Sequence, residues 1–144
     1  MMIKPDGVQR GYVGKIINRF EQKGIKIVAI KMVDVDRKLA EKHYGVHKGK
    51  PFFEPTVSYI ISSPVVAMVL EADNVISMVR NMMGKTNPQE AAPGTIRGDF
   101  GQFIGRNIIH GSDGEETAEF EINLWFSKDE IASYTRIDES WLTE

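Results

Sequence analysis

The run Gly105–Asp113, GRNIIHGSD, holds the residues of this chain best placed to do chemistry. One histidine, His110, follows the apolar pair Ile108–Ile109 and precedes Gly111, Ser112 and Asp113. An apolar pair anchors as a strand does, and Gly-Ser-Asp is turn chemistry. His110 is therefore expected where a buried element emerges into a turn, held firmly yet reachable, as a nucleophile or proton carrier must be. A histidine at a strand end can also do no more than satisfy its own hydrogen bonds. Arg106 and Asn107 before it, and Ser112 and Asp113 after it, favour the chemical reading.

Other cations and hydroxyls are distributed so that they could hold phosphates. Lys4 closes a short first strand, Arg80 stands near the end of a helix, and Thr86, Arg97 and Asn107 lie on or at the close of the irregular stretch that follows. Arginine stays charged and contacts phosphate with two parallel donors. Each residue alone has an ordinary explanation: a solvated cation, or a local turn bond for Thr86 and Asn107. Their concentration around one segment and one histidine raises the signal. Two further motifs mislead. Val28–Lys31 reads VAIK and Asp99–Gly101 reads DFG, but no glycine-rich loop or HRD motif accompanies them, so a protein kinase is excluded. No GxxxxGK[ST] loop is present either.

The bulk composition sets bounds. The 144 residues, 42% hydrophobic and 26% charged, fit one soluble domain spanning residues 1–144 with a real core. A formal charge of −2 gives no reason to expect nucleic acid or a membrane surface as partner. The absence of cysteine excludes disulfides and thiolate chemistry. The longest apolar run, Val65–Leu70, is too short to span a bilayer, and no signal peptide is recognisable, so a cytoplasmic protein is the expectation.

These residues must be positioned by a regular frame. Met1–Ile3 reads as a very short strand stopped by a Lys4–Gly7 turn. Val13, Ile16, Ile17 and Phe20 recur at helical spacing up to Gly24, and Ile25–Val35 reads as a strand. Asp36 can cap a short helix carrying Leu39, Ala40, His43 and Tyr44. A basic loop over Gly45–Pro51 leads to a second short helix with Phe53, Val57, Ile60 and Ile61. Val65–Leu70 is apolar on both faces, as a central strand should be. Asp73 or Asn74 can cap the next helix, and Gly84–Gly105 shows no periodicity. A helix over Glu115–Phe126 follows the histidine turn, with Ala118, Ile122 and Trp125 on one stripe. Stripped of insertions the order is β-α-β-β-α-β, an α+β, ferredoxin-like split βαβ sheet with helices on its faces and a long loop at 84–105.

The runs KPDGVQRG from Lys4, KPFF from Lys50, SPVVAM from Ser63, GKTNP from Gly84, PGTIRGDF from Pro93 and GRNIIHGSD together closely resemble nucleoside diphosphate kinases, over nearly the whole chain and in the same order. The resemblance implies transfer of the γ-phosphoryl group of a nucleoside triphosphate, mainly ATP, to a nucleoside diphosphate by a ping-pong route. His110 would carry the phosphoryl group on Nδ1, Glu121 would hold and polarise the ring, and Ser112 would assist. The phosphate ligands would be Lys4, Tyr44, Arg80, Thr86, Arg97 and Asn107, with Lys4 and Asn107 also reaching the ribose. The base would stack on Phe52 with Ile104 on its other face, which tolerates any base. Mg²⁺ would bridge phosphate oxygens rather than sit in a protein site of its own. The family assembles as hexamers or tetramers; the tail ending in Trp141–Glu144 favours a hexamer, with a tetramer as the alternative. There are departures. Only Met1–Ile3 precede the KPDG motif, where the family usually has several more residues, which leaves either a genuinely short first strand or an N-terminus that has been cut. Thr56 stands where an apolar residue often lines the base pocket, and Gly114 replaces a serine. Two other classes share parts of this pattern: a non-catalytic nucleotide-binding module of the same fold, and a phosphohistidine carrier acting on proteins.

Overall fold

A computed structural model describes residues 1–144. Strand β1 (Met2–Ile3) is short, as expected. The Lys4–Gly7 segment is not a simple turn. Pro5 opens a five-residue helix, α1 (Pro5–Gln9), because its fixed φ suits the first helical position and its missing N–H is not needed there. Helix α2 (Val13–Gln22) buries Ile16 and Phe20 and ends before Gly24, whose φ of +85° only glycine adopts freely. Strand β2 (Lys26–Val33) follows. Asp36 then caps α3 (Arg37–His43), accepting from the Leu39 amide at 2.7 Å. Helix α4 (Phe53–Ile60), strand β3 (Val65–Glu71) and helix α5 (Val75–Met83) agree with the sequence pattern. Asn74 occupies the N-cap position of α5, but its side chain makes no capping bond.

The 84–105 connection has more structure than its missing periodicity indicates. It holds a single 3₁₀ turn (Pro88–Glu90) and helix α6 (Ile96–Phe100), which Thr95 caps by accepting from the Gly98 amide at 3.0 Å. A helix this short offers too few turns to show a period. The aspartate of the DFG motif works within this segment: Asp99 accepts from the Gly94 amide at 2.8 Å and pairs with Arg19 of α2 at 2.6 Å. Strand β4 is only Ile109–His110, and α7 (Glu115–Trp125) follows.

The four strands pair in the order β2-β3-β1-β4, every pairing antiparallel, which is the order of the split βαβ fold. Alternation along the strands divides the core in two. Ile3, Val66 and Met68 face α2 and α5, packing against Ile16, Phe20, Val79 and Met83. Met2, Val65, Ala67 and Val69 face the other way, against Ala40 of α3, Val57 of α4 and Trp125 of α7. A bulge at Val28 turns both Val28 and Ala29 into this second core. The two crossover helices thus cover one face, and the inserted pair α3–α4, with α7, covers the other. No helix is long and apolar enough to cross a membrane.

Gly98 lets α6 lie against its own connection: a Cβ there would stand 2.1 Å from the carbonyl oxygen of Ala92. Backbone cannot swing aside as a side chain can. Gly98→Ala is expected to destabilise the protein by about 1–3 kcal/mol in urea unfolding. A change within about 0.5 kcal/mol, the range of neutral surface substitutions, would contradict this packing.

Candidate active site

Register places the reactive residues. Met2 of β1 stands opposite His110 of β4, so both side chains lie on the α3–α4–α7 face, and Lys4, two residues beyond Met2, lies toward the same side. On α7, Glu121 and Trp125 are four residues apart and share the face turned toward the sheet. Glu121 brings both carboxylate oxygens to His110 Nε2, at 2.9 and 2.7 Å. A carboxylate only accepts, so Nε2 carries the proton and Nδ1 is left with its lone pair. Burial lowers the pKa of His110 against the opposing pull of Glu121, which favours the neutral ring. Burial would raise the Glu121 pKa, but opposing contributions led by the His110 hydrogen bond hold the carboxyl below its usual range. The arrangement is a neutral imidazole oriented by a carboxylate, as an activated nitrogen nucleophile requires.

A second histidine completes the cluster. His43, at the end of α3, lies edge-on to the His110 ring with centroids 4.7 Å apart. Its Nδ1 accepts from Trp125 Nε1 at 3.0 Å, which fixes its tautomer. Burial, then the nearby His110, lowers its pKa to about 3. His43, His110 and Glu121 present ligand atoms within 4.8 Å of one another. The Glu121 carboxylate is engaged by His110 Nε2–H and His43 Nδ1 by Trp125 Nε1–H, so the group is an orienting hydrogen-bond cluster, and a hard cation such as Mg²⁺ prefers all-oxygen ligands.

The cluster forms one wall of a cavity of about 760 Å³, within the range of small-molecule sites. Lys4, Tyr44, Arg80, Thr86, Arg97, Asn107, His110 and Glu121 all line it. Lys4 Nζ donates to Asn107 Oδ1 at 2.7 Å, and burial, then Arg97, lowers its pKa to about 8. Asn107 Nδ2 donates to the Thr86 carbonyl at 3.0 Å. Arg80 donates to the Gly111 carbonyl at 3.2 Å. The Tyr44 hydroxyl is buried at the cavity wall with no hydrogen-bond partner, so its donor is free. Arg97 is buried and holds three backbone carbonyls, of Asn107 (3.2 Å), Gly84 (3.0 Å) and Ile109 (2.7 Å), so only part of its donor fork remains for an anion. Asp113 and Glu116 add carboxylates at the same cavity.

Three expected residues stand apart. Ser112 lies behind the histidine, lining smaller apolar cavities, and makes no hydrogen bond to His110 or Glu121. Phe52 and Ile104 lie outside the cavity lining and are 49% and 61% exposed, free to present an apolar face. Phe52 reaches the cavity through His47, whose ring lies 5.1 Å away.

Ile108 departs from its reading as strand. It is fully buried at φ +72°, and the Ile109 amide donates to the Asn107 carbonyl at 2.8 Å, closing a γ-turn around it. Such a conformation costs a β-branched residue about 1–3 kcal/mol and persists only where the surroundings impose it. The turn separates Asn107 from His110 and aims both into the cavity. Sequence reasoning also missed His43 and Trp125 as site residues; they meet across the fold, and only the aromatic identity of position 125 on the Glu121 face hinted at it.

A family model for nucleoside diphosphate kinase matches residues 1–131. A nucleoside diphosphate kinase of Pelotomaculum thermopropionicum is 61% identical over 144 residues, all of this chain and 97% of that protein. One from Archaeoglobus fulgidus is 58% identical, over all of this chain and 95% of that protein. The fold is similar to the solved structure of a halophilic nucleoside diphosphate kinase from Halobacterium salinarum in complex with CDP, at TM-score 0.97 and 50% identity, covering 99% of this chain and 95% of that one.

The depressed His43 pKa has a consequence for stability. The unfolded chain takes up a proton near pH 6.5 and the folded chain does not, so stability is full above that value and falls with pH toward about 3. His43 alone should remove about 2 kcal/mol between pH 7.5 and pH 5, since the slope follows the difference in bound protons. His110, shifted the same way, adds to it. Urea unfolding at the two pH values tests this: His43→Gln should flatten the slope, and an unchanged slope would contradict the burial of a neutral ring.

Proposed function

This chain belongs to the nucleoside diphosphate kinase family, phosphotransferases that move phosphate between nucleotides, and on that premise we propose that His110 Nδ1 carries the phosphoryl group. The observation that carries this reading is the double contact of Glu121 with Nε2, which leaves Nδ1 as the free nucleophile. In the first half-reaction the Nδ1 lone pair attacks the γ-phosphorus of a nucleoside triphosphate, mainly ATP. A P–N bond forms, the bond to the bridging oxygen breaks, and the diphosphate leaves with the electron pair. In the second half a terminal oxygen of another diphosphate attacks, and the P–N bond breaks back to the neutral ring. Positive charge developing on the imidazole is met by the Glu121 carboxylate across Nε2–H.

Transfer of this kind depends on positioning and charge more than on covalent participation by the protein. Lys4, Arg80 and Arg97 surround the phosphates with positive charge, and Tyr44, Thr86 and Asn107 supply uncharged polar contacts. The base stacks on Phe52, with Ile104 on its other side, which supports broad base tolerance. Asp113 and Glu116 would offer oxygen ligands to Mg²⁺ held chiefly by the nucleotide, and a hydrogen bond from Thr117 holds the Asp113 carboxyl below its usual range. When bound, Mg²⁺ neutralises phosphate charge. Arg97 has a double duty, since its fork also secures the backbone on both sides of the turn. A cytoplasmic location is part of the same proposal.

The protein should take acid-labile label from γ-labelled ATP with Mg²⁺ and release it to GDP. His110→Ala should take none, and Arg80→Ala should lower transfer about 10- to 100-fold, the equivalent of one charge-assisted hydrogen bond. Label that GDP cannot discharge would favour a carrier acting on proteins; no label would overturn both catalytic readings.

The assembly belongs to the same reading. Edge strand β2 exposes Ile30 and Met32, an apolar edge that a second copy would cover. A hexamer is expected from light scattering on the eluting peak; a stable tetramer would contradict it.

A further inference from the structure

The strained turn at Ile108 needs a restraint, and its two backbone polar groups show where the restraint comes from. The Lys4 amide donates to the Ile108 carbonyl at 2.8 Å, and the Ile108 amide donates to Asp6 Oδ2 at 3.1 Å. Both groups of this fully buried residue are thus satisfied by Lys4, which joins β1 to α1, and by Asp6 in the first turn of α1. The other oxygen of Asp6 accepts from the Tyr59 hydroxyl of α4. Tyr59 is buried beneath Arg106, whose guanidinium lies 4.3 Å from its ring centroid. Gly7 allows the close approach: a Cβ there would stand 2.7 Å from Ile3 Cγ2 and 3.1 Å from the Ile108 carbonyl oxygen. A carboxylate anchored by one hydroxyl and aimed at a single strained amide is a brace.

We propose that Asp6, seated by Tyr59, is a positioning residue for phosphoryl transfer, holding the Ile108 turn so that Asn107 and His110 meet the nucleotide together. The proposal rests on the reading that His110 carries the phosphoryl group. Asp6 lies outside the cavity lining and acts through the backbone. Without the brace a buried amide loses its acceptor, and the turn can relax toward ordinary φ. Relaxation shifts His110 relative to ligands carried on other elements, such as Arg80 and Thr86. Displacements of this kind slow a reaction without removing the groups that bind substrate.

The test compares Asp6→Ala, Asp6→Asn and Tyr59→Phe with the parent protein. Three quantities are measured: the single-turnover rate of label transfer from γ-labelled ATP, the dissociation constant of GDP, and hydrogen exchange at the Ile108 amide. Asp6→Ala should slow transfer about 10- to 100-fold while GDP affinity changes less than about threefold, the mark of misplacement rather than lost contacts. Exchange at Ile108 should accelerate. Asp6→Asn should restore most of the rate, because its amide oxygen still accepts from Ile108 while its NH₂ faces the Tyr59 oxygen. Tyr59→Phe, which loosens Asp6 without removing it, should fall between. A parent that labels normally beside an Asp6→Ala variant of equal rate would overturn the brace and leave the His110 reading standing. Rate and affinity falling together in both Asp6 variants would reduce Asp6 to a purely structural residue. A parent that takes no label would overturn the reading beneath the proposal.

Discussion

The contact between Glu121 and His110 Nε2 joins the sheet to α7, and the arrangement of the remaining elements follows from keeping it in register. His110 has no long strand to hold it; β4 is two residues, paired with the equally short β1. Its position depends on what surrounds it: Met2 beside it, α7 above it, and the turn at Ile108 before it. Helix α7 delivers two bonds from one face, Glu121 to His110 and Trp125 to His43, so a single helical surface orients both imidazoles. Burial keeps both rings neutral, while the carboxylate decides which nitrogen of His110 bears the proton.

A second constraint governs the phosphate side. Arg97 ties the Gly84 carbonyl, which ends α5, to the carbonyls of Asn107 and Ile109 on both sides of the turn. Thr95 and Gly98 set the short helix that carries it. The 84–105 connection is therefore a built support, and its irregularity in sequence reflects how many separate backbone groups it must satisfy. In the proposed mechanism the same guanidinium faces the nucleotide, so the loop and the charge it presents cannot vary independently.

Much of this was legible from residue types and spacing. Asp36 as a cap, Gly24 as a stop, the doubly buried β3 and the helix over Glu115–Trp125 follow from local rules that tertiary packing does not override. So did the gathering of Lys4, Arg80, Thr86, Arg97 and Asn107 about His110, though the firm assignment of roles came from resemblance to a family. The Pro5 helix was hidden because proline and glycine also mark turns. Ile108 was misread for a deeper reason. A β-branched residue in an apolar pair signals strand, and nothing local reveals that its backbone will bond to Lys4 and Asp6 while it sits at φ +72°. His43 escaped notice because its partners Trp125 and His110 are distant in the chain. Long-range geometry of this kind lies outside any window of local pattern.

The claim on which the mechanism stands is that Glu121 reserves Nδ1 for phosphorus. Nitrogen-resolved NMR of the ¹⁵N-histidine-labelled phosphoprotein, with phosphorus coupling read at each ring nitrogen, tests it most directly. Phosphorus bonded to Nδ1 of His110, with Nε2 still protonated against the carboxylate, is the predicted result. Phosphorus on Nε2, or on His43, would contradict it.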